Sequence, residues 1–451
     1  MIRPEDGKTV FMVDGDSSLT SRDTENGGVI LSGNVNGSAR AVFVDEKGDI
    51  TSGAVVGING DITFANPYID VDEEGITVTA DETALDNSIV GVTYENQGVE
   101  GIFDGNISHA DATNVYGIMR NDSFSAGAGK INATIEEGVA FVGFKDDTGD
   151  ITNGIRLNID GNVKGTNISV DMTQDGIAGK AGHIALDNST ITPFIFTVSN
   201  ERGLFSASIS HADITNASGR ITNDRFVVGA DKIKLDKTNV QTGLCGPASQ
   251  FILEGSINSP YIEADRDGLR GHTRVIDVNV KPNEQSKWSA GVTASETDFN
   301  VNTDGSKQNL NLYDTTIDPH KEGLGHRLID PLKYHDSKIS IEHDGDEGIT
   351  TYTAEDGTLK WKDWTLLDNV NGYAKFGNGT GLLNHGYLPD VNVNFTGRRG
   401  NEWNVQWGDN SGVLGLGLLP TIKKSGSSQS GGFHWYPVSS RSGWYLSLIH
   451  I

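Results

Sequence analysis

Oxygen-bearing side chains in the segment DGDSSLTSRDTE have the spacing of a calcium-binding loop. Asp14, Asp16, Ser18 and Thr20 stand at its positions 1, 3, 5 and 7, and Glu25 stands at position 12. Position 6 lacks the glycine of a helix–loop–helix site, and both flanks have the composition of strands. The sequence therefore predicts a calcium-binding turn between strands, with a solvated acidic loop as the alternative. It suggests no other cofactor.

A histidine and an aspartate recur together in the octamers ISHADATN and ISHADITN, which contain His109 with Asp111 and His211 with Asp213. Such pairs serve as general acids and bases or as metal ligands. Here the neighbouring phenylalanines, glycines and asparagines recur with them, so we favour a structural hydrogen-bonding role. Because no zinc-ligand spacing, nucleophile elbow or dinucleotide fingerprint occurs either, we predict no catalytic residue and no enzyme.

The tryptophans are concentrated towards the end of the chain. Aromatic clusters stack on sugars or fill the core of a β-sheet, and we favour the core. The six residues are Trp361, Trp364, Trp403, Trp407, Trp435 and Trp444.

The composition excludes several classes of partner and structure. The 451 residues carry 61 acidic and 35 basic side chains, a net charge of −26, which argues against nucleic acid and against anionic membrane surfaces. The single cysteine, Cys245, excludes an intramolecular disulfide. No apolar run is long enough for a transmembrane helix.

The closing Leu446–Ile451 back-translates to a sequencing-adaptor end, so we expect an artefact there and a chain that is a fragment of a longer gene.

A long internal repeat surrounds the two octamers. Gly101–Ile131 aligns without gaps with Gly203–Ile233, and Gly60–Ser88 aligns with Gly161–Ser189, which gives a period of about 101 residues. Each unit divides into two related halves. The predicted segments are an incomplete N-terminal β segment (1–59), two repeat units (60–160 and 161–254), a degenerate repeat with a loop insert (255–337), a tryptophan-rich β region (338–445) and the suspected artefact (446–451).

Alternation of apolar and polar residues predicts strands throughout these units. Examples are GIRLNID and NISVDM, which place alternate residues on one face. Asn-Gly and Asp-Gly pairs at residues 36–37, 59–60, 104–105, 160–161 and 175–176 predict tight hairpins. Asp318–Asp336, which contains Pro331, predicts a loop or short helical insert. The fold class is therefore all-β, an elongated array of tandem repeats with mostly antiparallel strands.

The composition, the scarcity of cysteine and the IALDNS strand end resemble bacterial surface proteins of the autotransporter or adhesin type, over residues 60 to about 369. That resemblance implies a non-catalytic, adhesive repeat region at the cell surface or outside the cell, with glycans or proteins of a host or cell surface as partners. Leu253–Gly271 and Gly161–Asp187 are similar to the AsmA-like bridge-type lipid-transfer family, which implies a periplasmic protein that carries lipid along an apolar β groove. A β-helical polysaccharide-degrading enzyme is a further alternative.

The first two hypotheses differ in where the alternating apolar residues go. In an adhesive stalk they meet a facing layer and fill a closed core, whereas in a lipid carrier they line an apolar groove. The diagnostic residues are Ile155, Leu157, Ile159, Ile168, Val170 and Met172.

Overall fold

The computed structural model of the chain is almost entirely β, with one short helix among the residues that it describes. These are residues 9–23, 28–44, 50–72, 75–96, 98–120, 122–146, 148, 150–197, 200–203, 205–242, 249–265, 267–302, 306–377, 390–407, 421–425, 434–436 and 445–447. All register-assigned strand pairs are antiparallel, which confirms the predicted fold class. The repeat period, the elongated array and the six segments stay predictions.

The strands are numbered in chain order. The first fifteen are β1 (Thr9–Ser17), β2 (Thr20–Asp23), β3 (Val29–Val44), β4 (Ile50–Ala65), β5 (Tyr68–Val71), β6 (Gly75–Asn96), β7 (Val99–Arg120), β8 (Ser123–Lys145), β9 (Ile151–Thr173), β10 (Gly176–Thr197), β11 (Asn200–Gly203), β12 (Phe205–Ile221), β13 (Arg225–Gly229), β14 (Lys232–Thr242) and β15 (Ser249–Asn258). The others are β16 (Tyr261–Asp265), β17 (Gly268–Thr273), β18 (Val275–Lys281), β19 (Trp288–Ala294), β20 (Glu296–Asn302), β21 (Lys307–Lys321), β22 (Leu332–Asp344), β23 (Ile349–Trp361), β24 (Trp364–Phe376), β25 (Asp390–Gly397), β26 (Glu402–Trp407), β27 (Thr421–Ser425), β28 (His434–Tyr436) and β29 (Tyr445–Ser447). The helix α1 spans His326–Ile329.

The chain divides into two compact units. Unit 1 comprises Met1–Gln241 and Pro260–Arg266, and unit 2 comprises Thr242–Ser259 and Asp267–Ile451. In unit 1, β6, β7, β8, β9 and β10 each pair with the next strand, and β10 pairs further with β12. These are long strands of up to 23 residues.

Most predicted hairpins of unit 1 lie inside continuous strands instead. The Asn-Gly and Asp-Gly pairs at 36–37, 59–60, 104–105 and 160–161 lie within β3, β4, β7 and β9, so the prediction was wrong there; the pair at 175–176 does connect β9 to β10. Gly161 shows why the Asp160–Gly161 pair can lie inside a strand. Its φ of 126° requires glycine, and an added Cβ would lie 2.5 Å from the Cα of Ser189. The β9–β10 register shifts beside Ser189, between Asp187 and Thr190, as at a β-bulge. A bulge bends a strand without ending it.

Equivalent bends recur along unit 1. Single asparagines with positive φ interrupt the long strands, and asparagine tolerates that conformation better than most residues. They are Asn87, Asn114, Asn167, Asn188 and Asn216. The bent strands enclose apolar clusters, such as Phe43, Ala54, Tyr94 and Met119 at one place and Val90, Ile107, Ala133 and Ile135 at another.

Unit 2 has shorter strands. Seven of them form a series in which each strand pairs with the next, in the order β19, β21, β22, β23, β24, β25 and β26. The insert predicted over Asp318–Asp336 is narrower than expected, because β21 continues to Lys321 and β22 begins at Leu332, with α1 between them. Tyr445–Ser447 pairs with His434–Tyr436, and residues 448–451 of the suspected artefact lie outside the described residues. None of the described helical structure has the length and apolar character needed to cross a membrane.

Candidate functional site

An apolar cavity of about 400 Å³ lies within unit 1. It is formed by β6, β7, β8, β9, β10, β12 and β13. The lining residues are Val92, Tyr94, Gly101, Ile102, Phe103, Phe124, Ala140, Phe141, Val142, Val170, Met172, Ile177, Gly179, Gly219, Ile221 and Phe226. No charged side chain is among them, and the volume falls within the range of small-molecule sites.

Bending of the strands creates this cavity. Strand β8 lines it near both ends, with Phe124 at one and Val142 at the other, although a straight strand would separate them by about 60 Å. The bend coincides with Glu137, whose φ is 54°, where the β8–β9 register shifts. Because β8 turns back at this bulge, the two ends of the same group of strands face each other.

Contacts across the cavity show that its two sides approach closely. The rings of Tyr94 and Phe124 pack with centroids 5.5 Å apart. An added Cβ on Gly101 would lie 3.2 Å from the Cε of Met172 and 3.7 Å from the Cδ1 of Ile177. A side chain at position 101 would therefore extend towards the opposite wall.

The cavity is only partly closed to solvent. Tyr94, Gly101 and Ile177 are buried, and the other lining residues are partly exposed. Among the residues that separate the two sequence hypotheses, Val170 and Met172 line the cavity and Ile159 packs against the cluster around Ile107. All six diagnostic residues are partly exposed, so these strands do not form a fully closed core there.

The repeated histidines of unit 1 lie on the strands as hydrogen-bonded bridges. His109 Nδ1 lies 2.6 Å from Asp86 on β6, and its Nε2 lies 2.7 Å from Asp111. His211 makes the same contacts, at 2.6 Å to Asp187 on β10 and 3.1 Å to Asp213. This geometry agrees with the predicted hydrogen-bonding role.

The carboxylates favour the charged form of both rings. The hydrogen bond to Asp86, then that to Asp111, raises the pKa of His109 above its ordinary 6.5. The hydrogen bonds to Asp187 and Asp213 likewise raise the pKa of His211. An imidazolium donates from both nitrogens, so the protonated ring satisfies both carboxylates.

A third histidine, which the sequence did not indicate, occupies a similar place in unit 2. His272 on β17 lies opposite Asp298 on β20, with Nδ1 2.7 Å from the carboxylate and 3.8 Å from Glu296. These three are the group of described residues whose donor atoms are close enough together to hold a metal ion. The hydrogen bond to Asp298 engages the Nδ1 of this ring.

The predicted calcium ligands lie partly in a strand. Asp14 and Asp16 belong to β1, opposite Ser38 and Asn36 of β3. The Ser18 hydroxyl accepts a hydrogen bond from the Asn34 amide at 3.1 Å, and the Thr20 hydroxyl donates to the Ser32 carbonyl at 3.2 Å. Glu25 lies outside the described residues, and the calcium site stays a prediction.

The tryptophans do not all fill a core. Trp364 is 52% exposed, so the predicted core position was wrong for this residue, while Trp361 and Trp403 are partly exposed. The side chains of Trp407 and Trp435, as well as Trp444 and Cys245, lie outside what the structure describes.

No protein-family model matches the chain, and the curated proteins contain no significant match to it.

Sequence reasoning found two of the cavity residues, Val170 and Met172, through their alternation. It identified Phe124 as a recurring packing residue, but it missed Tyr94 and the contact between the two rings, which meet only because β8 bends back.

Proposed function

We propose that unit 1 binds the hydrocarbon chain of a lipid in its apolar cavity, and that the protein acts as a lipid carrier and not as an enzyme. The observation that carries this proposal is the cavity itself, whose walls combine aromatic and aliphatic side chains and present no charge. Two of the six diagnostic residues, Val170 and Met172, line this cavity, which supports the AsmA-like alternative and its implied periplasmic location.

The chemistry of the walls selects an aliphatic ligand. A polar ligand would lose its hydrogen bonds to water without gaining partners from residues such as Val142, Met172 and Ile221. Each methylene group that leaves water contributes about 0.8 kcal/mol, so an acyl chain gains affinity with length until the cavity is filled. The flexible thioether of Met172 adapts to chains of different shape.

The test is binding of octanoate, laurate and palmitate to the delipidated full chain, measured by competition with a fluorescent fatty acid. Affinity should rise with chain length, by up to about fourfold per methylene group. Equal, weak binding of all three acids would contradict the proposal.

A matched pair of glycine variants locates the site. Gly101→Leu extends a side chain towards Met172 and should weaken palmitate binding by at least about tenfold. Gly117→Leu makes the same change on the same strand, where an added Cβ meets nothing within 4 Å, and should bind normally. Equal affinity in both variants would place the ligand elsewhere.

A non-catalytic adhesive scaffold at the cell surface is the second candidate function. The observation that favours it is the pair of His bridges on unit 1, which use polar side chains to join strands. Glycan-array and cell-adhesion assays test this function. Binding that survives Gly101→Leu would favour the scaffold over the carrier.

A further inference from the structure

We infer that unit 2 docks on the surface of an anionic lipid bilayer through an exposed aromatic and basic patch. The apolar part of this patch, called the tryptophan patch below, consists of Trp288, Leu324, Leu328, Trp361 and Trp364. The inference is independent of the cavity of unit 1.

The strand order gathers these residues at one end of unit 2. Trp288 begins β19 and pairs with Lys321, the last residue of β21. Trp361 ends β23 and pairs with Trp364, the first residue of β24. The Trp361 indole N–H donates to the Leu328 carbonyl at 3.2 Å, which ties the segment between β21 and β22 to the tryptophans.

The patch exposes more apolar surface than strand packing requires. Leu324 is 96% exposed and Leu328 is 67% exposed, and Trp364 is 52% exposed. Single exposed apolar residues are ordinary, but a contiguous exposed group marks an interaction surface. Tryptophan beside aliphatic side chains is typical of residues that enter the interface of a bilayer.

The charge around the patch is opposite to that of the whole chain, which has a net charge of −26. Residues 287–288, 321–330, 360–364 and 397–399 contain seven lysines and arginines against three carboxylates, Glu322, Asp330 and Asp363. Asp330 already accepts a hydrogen bond from the Lys321 amide and pairs with His320. The local excess of cations complements anionic headgroups, although the overall charge opposes them.

Cations lie directly over the tryptophan rings. Lys321 is 4.5 Å from the Trp288 ring centre, Lys362 is 4.8 Å from Trp361, and Arg398 is 4.2 Å from Trp364. These contacts cover one face of each ring. They place each positive charge beside an apolar group, as an interface between headgroups and acyl chains requires.

The test is co-sedimentation of the full chain with phosphatidylcholine vesicles, with and without phosphatidylglycerol. The anionic vesicles should bind more strongly, and added salt should reduce that difference. Equal recovery in the supernatant with both vesicle types would overturn the inference.

Two double variants and two controls assign the binding surface. Leu324→Ser with Leu328→Ser, and separately Lys362→Glu with Arg398→Glu, should each weaken binding to anionic vesicles by about tenfold or more. Ile69→Ser is the control, because Ile69 is an apolar side chain of unit 1 that is 57% exposed, and it should bind normally. Gly101→Leu should also bind vesicles normally, which separates this inference from the carrier function.

A soluble polyanion is the competing partner. If single-stranded DNA binds the chain through Lys362 and Arg398 while the two leucine substitutions leave vesicle binding unchanged, the patch serves a polyanion and the bilayer inference is wrong.

Discussion

The two units differ in what they bury. Among the described residues, unit 1 buries 23 apolar side chains and four polar ones, whereas unit 2 buries four apolar side chains and eight polar ones. The same antiparallel pairing thus supports two kinds of interior. In unit 1 buried apolar surface supplies the main stabilisation, whereas the few buried apolar side chains of unit 2 share its interior with more numerous polar groups, each of which is costly without a hydrogen-bond partner.

The buried polar residues of unit 2 are not all equally satisfied. Asp336 is fully buried and accepts hydrogen bonds from the amides of Lys338 and Glu355 at 2.9 and 3.0 Å, and from the Tyr334 hydroxyl. Thr315, opposite Asp336 in the register, is also fully buried, but its hydroxyl has no partner among the described residues. The interior of unit 2 is therefore sensitive to single polar atoms.

The largest expected effect is in the apolar core of unit 1. Phe144 is 4% exposed and packs with Val99 and Ile177, so Phe144→Ala should lower the free energy of unfolding by about 4 kcal/mol. Urea titration followed by circular dichroism measures this change. Ile151→Ala, at a residue 39% exposed, is the control and should cost less than about 1 kcal/mol. A loss for Phe144→Ala as small as the control's would show that unit 1 is not held by its apolar core.

The next effect concerns the buried carboxyl group of unit 2. Asp336→Ala removes the acceptor of two backbone amides and should cost about 2–4 kcal/mol, because buried donors without partners are costly. Asp336→Asn keeps an acceptor oxygen and should cost clearly less in the same urea titration. Equal losses would assign the effect to the negative charge and not to the hydrogen bonds.

Two buried threonines of unit 2 should respond with opposite signs. Thr315→Val removes an unpartnered hydroxyl and should stabilise the chain by up to about 1 kcal/mol. Thr350→Val removes a hydroxyl 3.0 Å from His343 Nδ1 and should destabilise it by about 1 kcal/mol. Thermal melts of the two variants give the signs. Destabilisation by Thr315→Val would show that its hydroxyl has a stabilising partner.

The smallest effect is a pH dependence that belongs to unit 1. The folded state raises the pKa of His109 and His211, so their contribution to stability is complete below pH 6.5 and disappears as pH rises through the raised values. Both rings are well exposed, and solvent screening limits the sum to about 1 kcal/mol or less. Replacing both histidines with asparagine should flatten the profile of melting temperature against pH. An unchanged profile in the double variant would show that the hydrogen bonds of His109 and His211 to their aspartates do not stabilise unit 1.

Much of the fold could be predicted from local pattern. Alternation in segments such as Ile155–Ile159 identified strands, and the hydrogen-bonding role of His109 and His211 agreed with the structure. The hairpins at 59–60 and 160–161 could not be predicted correctly, because Asn-Gly and Asp-Gly pairs suit a bulge as well as a turn and only the neighbouring strand decides between them. The cavity depends on the bend at Glu137, which brings Phe124 opposite Tyr94, and no local pattern specifies that contact.

The central claim is that unit 1 holds an acyl chain and unit 2 does not. Photo-crosslinking tests it most directly, with a palmitate analogue that carries a diazirine at mid-chain, followed by peptide mass spectrometry. We expect labelled peptides from β6 to β13, at or beside residues such as Phe103, Val142 and Met172, and loss of label with excess palmitate. Labelling centred on unit 2, or spread evenly over the chain and not competed by palmitate, would contradict the account.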